Sequence, residues 1–313
     1  MEVTIGKLTA KSGEKVQGYY EGDGFRIPVT IICGNKDGKT VLVSGGFHGS
    51  EYDGIKVCME LGEELTPKKI KGTLIIASLV NENGFYRRKA EKNPTDKENI
   101  YDSFPGKEDG TESEKIAYCF EHDFLSCADY FVDLHGGNMF EKVTAFTYYA
   151  PAKEVIEESK KMAKAVNTKY MVKDHDPNGA INYAGEKLGI PSIIIERGGF
   201  GALNFRNVKT YKKDALNVLK TIEIIDDKAD RYRPFDIDEI EYVASDHNGC
   251  YMECFTAGDY VRKGDILAYV TDIFGKTIET YKAPYDGIIL CQIDTFACEK
   301  GKPLYILGKQ RAI

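Results

Sequence analysis

Residues 40–54 read TVLVSGGFHGSEYDG, and much of the architecture can be inferred from them. The first five residues form a largely apolar, β-branched run, which is typical of a buried strand. Residues 55–61 repeat apolar side chains at helical spacing. His48 and Glu51 therefore lie where a strand ends and a helix begins, and in open α/β sheets this edge is where ligands bind.

The pair His48 and Glu51 has the chemistry of two ligands to one metal ion. Imidazole and carboxylate are ligands of hydrolytic zinc sites, which keep one position open for water. The glycines around the pair permit a tight backbone turn beside a buried ion. The same spacing also fits a surface turn with a solvated glutamate, and the pair alone does not separate these two interpretations.

Two further predicted strands end in side chains of the same kind. Residues 130–138 read YFVDLHGGN, which places Asp133 and His135 on one face of a strand. We interpret His135 as a third metal ligand, the alternative being a core histidine at a strand end. Residues 191–201 read PSIIIERGGFG, and Glu196 ends this apolar run. Beside a zinc ion Glu196 would act as a general base and then protonate the leaving group; the alternative is an ion pair with an arginine.

Composition and charge exclude several classes of function. The chain has 313 residues and the composition of a globular protein with one or two domains. Its formal net charge of −7 disfavours binding to nucleic acid or to an anionic membrane. No apolar run approaches the roughly 20 residues needed to span a bilayer, and the opening MEVTI predicts no signal peptide. The eight scattered cysteines are typical of reduced core thiols, so we expect a cytoplasmic protein.

The sequence pattern predicts two regions along the chain that differ in secondary structure. Over residues 1–233, continuous apolar runs alternate with amphipathic stretches, which indicates an α/β domain. Because this region carries the candidate metal ligands, we interpret it as a zinc-dependent hydrolase domain. The polar stretch 90–110 is long for a connection, and we expect it to cover the active edge of the sheet. A single strand is predicted over 142–150. Over residues 234–313, short strands separated by Gly/Asp turns predict a small all-β barrel or sandwich.

Taken together, these motifs resemble the succinylglutamate desuccinylase/aspartoacylase family of the zinc carboxypeptidase superfamily, nearly from end to end. The matching motifs are IPV at 27–29, HGSE at 48–51, DLHGG at 133–137 and IERGG at 195–199. The resemblance implies a central mixed, mostly parallel sheet flanked by helices. It also implies that His48, Glu51 and His135 bind one zinc ion per chain and that Glu196 is the catalytic carboxylate. The C-terminal region is similar to the lipoyl-type β domain of some members.

One part of the family pattern is different here. The family carries an Asn-Arg pair before Phe-Pro-Gly, whereas this chain has Tyr101 and Asp102 before residues 104–106. An arginine grips a substrate carboxylate through its fork geometry, so the replacement removes that grip and adds a negative charge. Either Arg197 or Arg206 compensates, or the substrate carries a cation near Asp102.

The predicted activity is hydrolysis of the amide bond of a small N-acyl amino acid or related amide. Arg88, with Arg87 beside it, is predicted to stabilise the tetrahedral oxyanion and bind substrate, and Asp133 to support a ligand histidine. Two alternatives stay open: a zinc metallocarboxypeptidase acting on peptides, and an inactive binding module of the same fold. We expect the protein to bind a small-molecule amide and to bind neither nucleic acid nor a membrane. A homo-oligomer is possible.

Overall fold

A computed structural model of the protein describes residues 1–310, in which one large mixed sheet is accompanied by three smaller antiparallel sheets. The strands are β1 Glu2–Ile5, β2 Leu8–Lys11, β3 Lys15–Glu21, β4 Arg26–Cys33, β5 Lys36–Gly45, β6 Lys71–Ala77, β7 Tyr130–His135, β8 Glu141–Val143, β9 Phe146–Tyr149, β10 Tyr170–Lys173, β11 Ser192–Glu196, β12 Phe235–Ile237, β13 Ile240–Ala244, β14 Gly249–Glu253, β15 Tyr260–Val261, β16 Ile266–Thr271, β17 Thr277–Lys282, β18 Gly287–Ile293, β19 Ala297–Cys298 and β20 Pro303–Lys309. The α-helices are α1 Tyr52–Glu64, α2 Glu82–Tyr86, α3 Glu112–Cys119, α4 Ile156–Ala163, α5 Ala180–Leu188 and α6 Phe205–Thr221. Short 3₁₀ turns lie at Pro67–Lys69 and Leu125–Cys127, and a π turn at Phe120–Phe124.

The large sheet has the strand order β12-β10-β9-β11-β7-β5-β6-β4-β3. Five of its eight pairings are parallel, which confirms the predicted mixed, mostly parallel sheet. One face packs against Val57 of α1 and Tyr211 of α6, and the other against Ile116 of α3 and Ile181 of α5. Because both faces are covered, the central strands read as continuous apolar runs, and the predicted flanking helices are confirmed.

Local sequence signals set the ends of several helices. The side chain of Asn204 accepts hydrogen bonds from two backbone amides at the start of α6, and Thr111 and Glu114 form a capping box at the start of α3. Gly189 ends α5 in the left-handed conformation at φ 67°, which glycine adopts without strain. These signals fix where the helices begin and end relative to the strand edge.

The strand predicted over residues 142–150 is wrong as a single element. β9 lies between β10 and β11 in the large sheet, whereas β8 pairs antiparallel with β18 near the C-terminus. The chain changes sheets at Thr144, whose amide donates to the carbonyl of Leu290 over 3.0 Å. Both runs favour β structure, but their partners are set by residues far along the chain, which local periodicity does not encode.

The C-terminal region consists of two antiparallel sheets, which confirms the predicted all-β architecture. One sheet has the order β13-β20-β18-β15 with β8 added to β18, and the other β17-β16-β14-β19. Val270 and Tyr281 from the second sheet share a buried cluster with Ile289 and Leu307 from the first, so the sheets pack face to face. β12 pairs with β10 in the large sheet, and the domain boundary near residue 233 stays a prediction.

Two further observations bear on the expectations from composition. Within residues 1–310, no helix combines the length and apolarity that crossing a membrane requires. The eight cysteines are free thiols, of which Cys33, Cys58, Cys250 and Cys291 are buried and Cys127 and Cys254 are exposed. Half of them are therefore core thiols as expected, and the cellular compartment stays a prediction.

Candidate metal centre and its cavity

Three neighbouring parallel strands deliver the predicted site residues to one edge of the sheet. β7 lies between β5 and β11 and runs parallel to both. His48 and Glu51 follow β5, His135 ends β7 and Glu196 ends β11, with Glu196 in register beside His135. The carboxyl ends of parallel strands meet at the same edge, and the structure thus brings all four predicted residues together.

His48, Glu51 and His135 form a group that could hold a metal ion, with one potential ligand atom from each lying within 4.8 Å of the others. Nδ1 of His48 is 2.7 Å from Oε1 of Glu51, and Nδ1 of His135 is 3.1 Å from Oε2. Oε2 is buried and takes part in no hydrogen bond of acceptable geometry among the described residues. A buried carboxylate oxygen of this kind, facing two imidazole nitrogens, fits a divalent cation bound by nitrogen and oxygen ligands.

The outer nitrogens of both imidazoles are held in place. Nε2 of His135 lies 2.8 Å from Oδ2 of Asp133, whose other oxygen accepts a 2.6 Å hydrogen bond from the hydroxyl of Ser44. Nε2 of His48 lies 3.2 Å from Oδ1 of Asn99. An imidazole fixed at its outer nitrogen presents the inner nitrogen to a metal, so both rings are oriented for ligation.

Charge and burial act together on these groups. Burial alone would raise the pKa of Glu51, but the two neighbouring imidazoles outweigh it and lower that pKa to about 2. Burial alone would lower the pKa of His48, but the negative charge of Glu51 raises it to about 9. The imidazoles therefore hold protons at the place where a metal cation would replace them. Burial also raises the pKa of Glu196 above its ordinary value, against the opposing effect of His135.

A cavity of about 360 Å³ opens in front of the metal group. Its lining includes His48, Glu91, Asn99, Tyr101, Asp102, His135, Glu141, Tyr148, Asp174, Asp176, Glu196, Tyr242, Gln292, Ile293 and Tyr305. The carboxylate of Glu196 forms no hydrogen bond or ion pair within residues 1–310, so it is available to a ligand in this cavity. The size suits a small molecule.

Two parts of the cavity wall were not predicted from sequence. Tyr242, Gln292 and Tyr305 come from the C-terminal sheets, which the sequence linked to no role. Asp174 and Asp176 follow β10, and the rule that ligands gather at strand ends could have pointed to them. The C-terminal contribution has no comparable local signal, because it depends on contacts between segments far apart in sequence, such as the pairing of β8 with β18.

The predicted arginines lie outside this lining. Arg87 and Arg88 are exposed after α2, and Arg206 is exposed in α6. The guanidinium of Arg197 is engaged elsewhere, with Nη2 2.7 Å from the carboxylate of Asp214. Their proposed contacts with the substrate stay predictions. In this arrangement, each arginine could reach the cavity only if its side chain or its loop moved.

Tyr101 packs beside the metal group instead. Its ring lies edge-on to His135 with 5.2 Å between ring centroids, and it is almost fully buried. Close contact with Gly179 holds the ring, because a Cβ at residue 179 would lie 2.6 Å from it. Asp102 also lines the cavity, and its carboxylate accepts a 2.9 Å hydrogen bond from Asn99, but its role toward substrate stays a prediction.

Comparison with known proteins agrees with this geometry. Residues 37–222 match the family model described as the succinylglutamate desuccinylase/aspartoacylase catalytic domain. A curated relative, the N-alpha-acetyl-L-2,4-diaminobutyric acid deacetylase of Halomonas elongata, is 28% identical over 299 residues, covering 90% of this chain and 85% of the relative. The match to a deacetylase and to this catalytic domain supports amide deacylation.

Solved structures extend the likeness to the whole chain. The product-bound ectoine utilization protein EutE (DoeB) from Ruegeria pomeroyi is 26% identical, with a TM-score of 0.86 over 95% of both chains. A succinylglutamate desuccinylase from Silicibacter sp. TM1040 is 27% identical, with a TM-score of 0.81 over 94% of this chain and 93% of that one. Coverage this complete includes the C-terminal sheets, so these sheets belong to the shared architecture.

Proposed function

The chain belongs to the succinylglutamate desuccinylase/aspartoacylase family, and on that premise we propose that it is a zinc-dependent deacylase. Its substrate would be a small N-acyl amino acid or a related amide. The observation that carries the proposal is the group of His48, Glu51 and His135 beside the free carboxylate of Glu196. Two imidazoles and one carboxylate with room for water form the ligand set of a hydrolytic zinc site.

A zinc ion bound there would supply Lewis acidity to the scissile carbonyl and to a water molecule. Glu196 would accept the proton of the attacking water and pass it to the leaving nitrogen. Its raised pKa suits this role, because a pKa nearer the working pH lets the same carboxyl group first accept a proton and then donate it. Arg88, or Arg87, remains our proposed oxyanion stabiliser, which requires the loop after α2 to bring it inward.

The cavity favours a small substrate over a peptide. Its volume is about 360 Å³, and residues of the C-terminal sheets form part of its wall. A metallocarboxypeptidase would need an open groove along which a chain can lie. The relative from Halomonas elongata is named for the deacetylation of an N-acetylated diamino acid, which supports the same reaction class here.

The proposed function is tested by metal analysis and hydrolysis together. We expect about one zinc ion per chain in the purified protein, and hydrolysis within a panel of N-acyl amino acids, N-acyl diamines and short peptides. The variant His135→Ala should lose both zinc and activity. His122→Ala, which removes an exposed histidine outside both the metal group and the cavity lining, should lose neither. A zinc-loaded protein that hydrolyses no member of the panel would contradict the deacylase, and release of C-terminal residues from peptides alone would favour the carboxypeptidase.

A further inference from the structure

Three aspartates at one end of the cavity have no cationic partner. Asp102, Asp174 and Asp176 all line the cavity, and no ion pair within residues 1–310 involves any of them. Lysine and arginine are absent from the described lining of this cavity. These three carboxylates therefore share one cavity without a lysine or arginine to compensate their charge.

Asp174 is the most unusual of the three. It is only 4% exposed, and its Oδ2 has no hydrogen-bond partner among the described residues. Its Oδ1 accepts a 3.2 Å hydrogen bond from the backbone amide of Asp176. A buried carboxylate oxygen without a partner is costly, and a ligand that donates hydrogen bonds would satisfy it.

The three carboxylates also act on one another. The pKa of Asp174 is raised to about 7, chiefly by burial, with smaller contributions from the charges of Asp176 and Asp102. Burial raises the pKa of Asp102 as well, again with a contribution from Asp176. Mutual repulsion of this kind is relieved when a cation binds among the carboxylates.

Asn99 connects this wall to the metal group. Its Oδ1 lies 3.2 Å from Nε2 of His48, and its amide nitrogen donates to Asp102 over 2.9 Å. One side chain thus separates a metal-ligating histidine from the aspartates. A substrate whose amide reaches the metal would place a group a few bonds away among these carboxylates.

We propose that Asp102, Asp174 and Asp176 form a subsite for a primary ammonium group of the substrate. This inference rests on the proposed deacylase and names its substrate class as N-acylated short diamines and diamino acids. Asp174 supplies the buried oxygen that accepts a hydrogen bond from the ammonium, and Asp102 and Asp176 supply further negative charge. The subsite takes the place of the arginine grip on a carboxylate that the family pattern predicts at residues 101 and 102.

The test compares two substrates that differ in one charge. Nα-acetyl-L-2,4-diaminobutyrate carries the ammonium, and N-acetyl-L-norvaline replaces it with a methyl group. For the zinc-loaded wild type we expect kcat/KM to favour the cationic substrate by about tenfold to a hundredfold. Asp174→Asn should erase this preference, mainly by raising KM for the cationic substrate.

Two controls separate charge from structure. Asp176→Asn should weaken the preference in the same direction, which guards against a folding defect peculiar to residue 174. Asp109→Asn makes the same change of charge in an exposed loop outside the cavity lining and should leave the preference intact. Equal turnover of both substrates by wild type would overturn the subsite and leave the deacylase standing.

Binding of the free amines separates the two proposals if hydrolysis fails. Calorimetric titration of the zinc-loaded protein with L-2,4-diaminobutyrate and with L-norvaline needs no catalysis. Preferential binding of the diamino acid by wild type and its loss in Asp174→Asn would support the subsite even if the deacylase proposal failed. Equal affinity for the two amines, or no binding of either, would overturn the subsite.

Discussion

His135 and Asp133 lie two residues apart on β7, and Nε2 of His135 is 2.8 Å from Oδ2 of Asp133. The pair leaves Nδ1 of His135 as the nitrogen that faces Glu51. Asp133 is fully buried and contacts the outer nitrogen of the imidazole, so we expect it to orient and polarise that ring.

Asp133→Asn is therefore expected to weaken zinc binding by about tenfold to a hundredfold. The amide keeps the size of the side chain, but one of its ends is a donor, and both His135 and Ser44 need an acceptor. Competition with a chromogenic chelator measures the affinity. Asp129→Asn, an exposed change at the start of the same strand region, serves as the control. Unchanged affinity in the Asp133 variant would remove the orienting role.

Glu196→Gln is expected to lower kcat by about 10²- to 10⁴-fold while zinc content stays the same. The amide preserves shape but accepts no proton from water, and Glu196 is not among the three grouped ligands. Steady-state kinetics on the best substrate of the panel, with elemental analysis of the same samples, measures both quantities. Glu186→Gln on the exposed side of α5 is the matched control. Loss of zinc in the Glu196 variant would instead make this residue a ligand.

Arg197→Ala is expected to lower the free energy of unfolding by about 3 kcal/mol or more. Its guanidinium pairs with Asp214 over 2.7 Å, and the side chain of Asp214 is only 3% exposed, so the variant leaves a buried carboxylate unpaired. Urea denaturation measures the loss. Lys39→Ala breaks an exposed pair with Asp129 and should cost less than about 1 kcal/mol. Unchanged stability together with a raised KM would restore Arg197 as a substrate-binding residue.

The raised pKa of Asp174 predicts how the free energy of unfolding depends on pH. Its folded pKa of about 7 exceeds the ordinary value of 3.8, so between these values the unfolded chain has lost the proton and the native protein keeps it. Stability should fall as pH rises through this window and change no further above it. Asp174→Asn should therefore gain stability relative to wild type between pH 4 and pH 7, by up to about 4 kcal/mol.

Urea denaturation of both proteins at pH 5 and pH 7, without substrate and with equal zinc content, measures the difference. Asp109→Asn should show the same difference from wild type at both pH values. A constant difference for Asp174→Asn would mean that its carboxyl is ionised across the whole range.

The metal group could be predicted because its signals are local. His48, His135 and Glu196 each follow an apolar run and lie beside glycines, and parallel strands bring such ends together. Strand order need not be known for that inference. The mixed sheet and the start of α6 at Asn204 could be read from sequence for the same reason.

The cavity wall could not be predicted in the same way. Tyr242 and Gln292 come from the sheet in which β8 pairs with β18. That pairing joins segments far apart in sequence, and neither segment carries a pattern that names its partner. Because Asp174 follows a strand, the rule that ligands bind at strand ends could have pointed to it. The sequence around it, however, is typical of an ordinary polar turn. The structure is needed to show that this carboxylate is buried and that its Oδ2 has no hydrogen-bond partner among the described residues.

The pattern that identifies the family ends at residue 222, whereas part of the cavity wall comes from residues 242 and beyond. The metal group and the three aspartates therefore lie within the matched region, whereas the rest of the cavity wall includes residues beyond it. Substitutions after residue 222 could change the shape of the cavity while the metal group stays intact. A comparison of substrates among such relatives therefore requires the C-terminal residues of each chain as well as its catalytic domain.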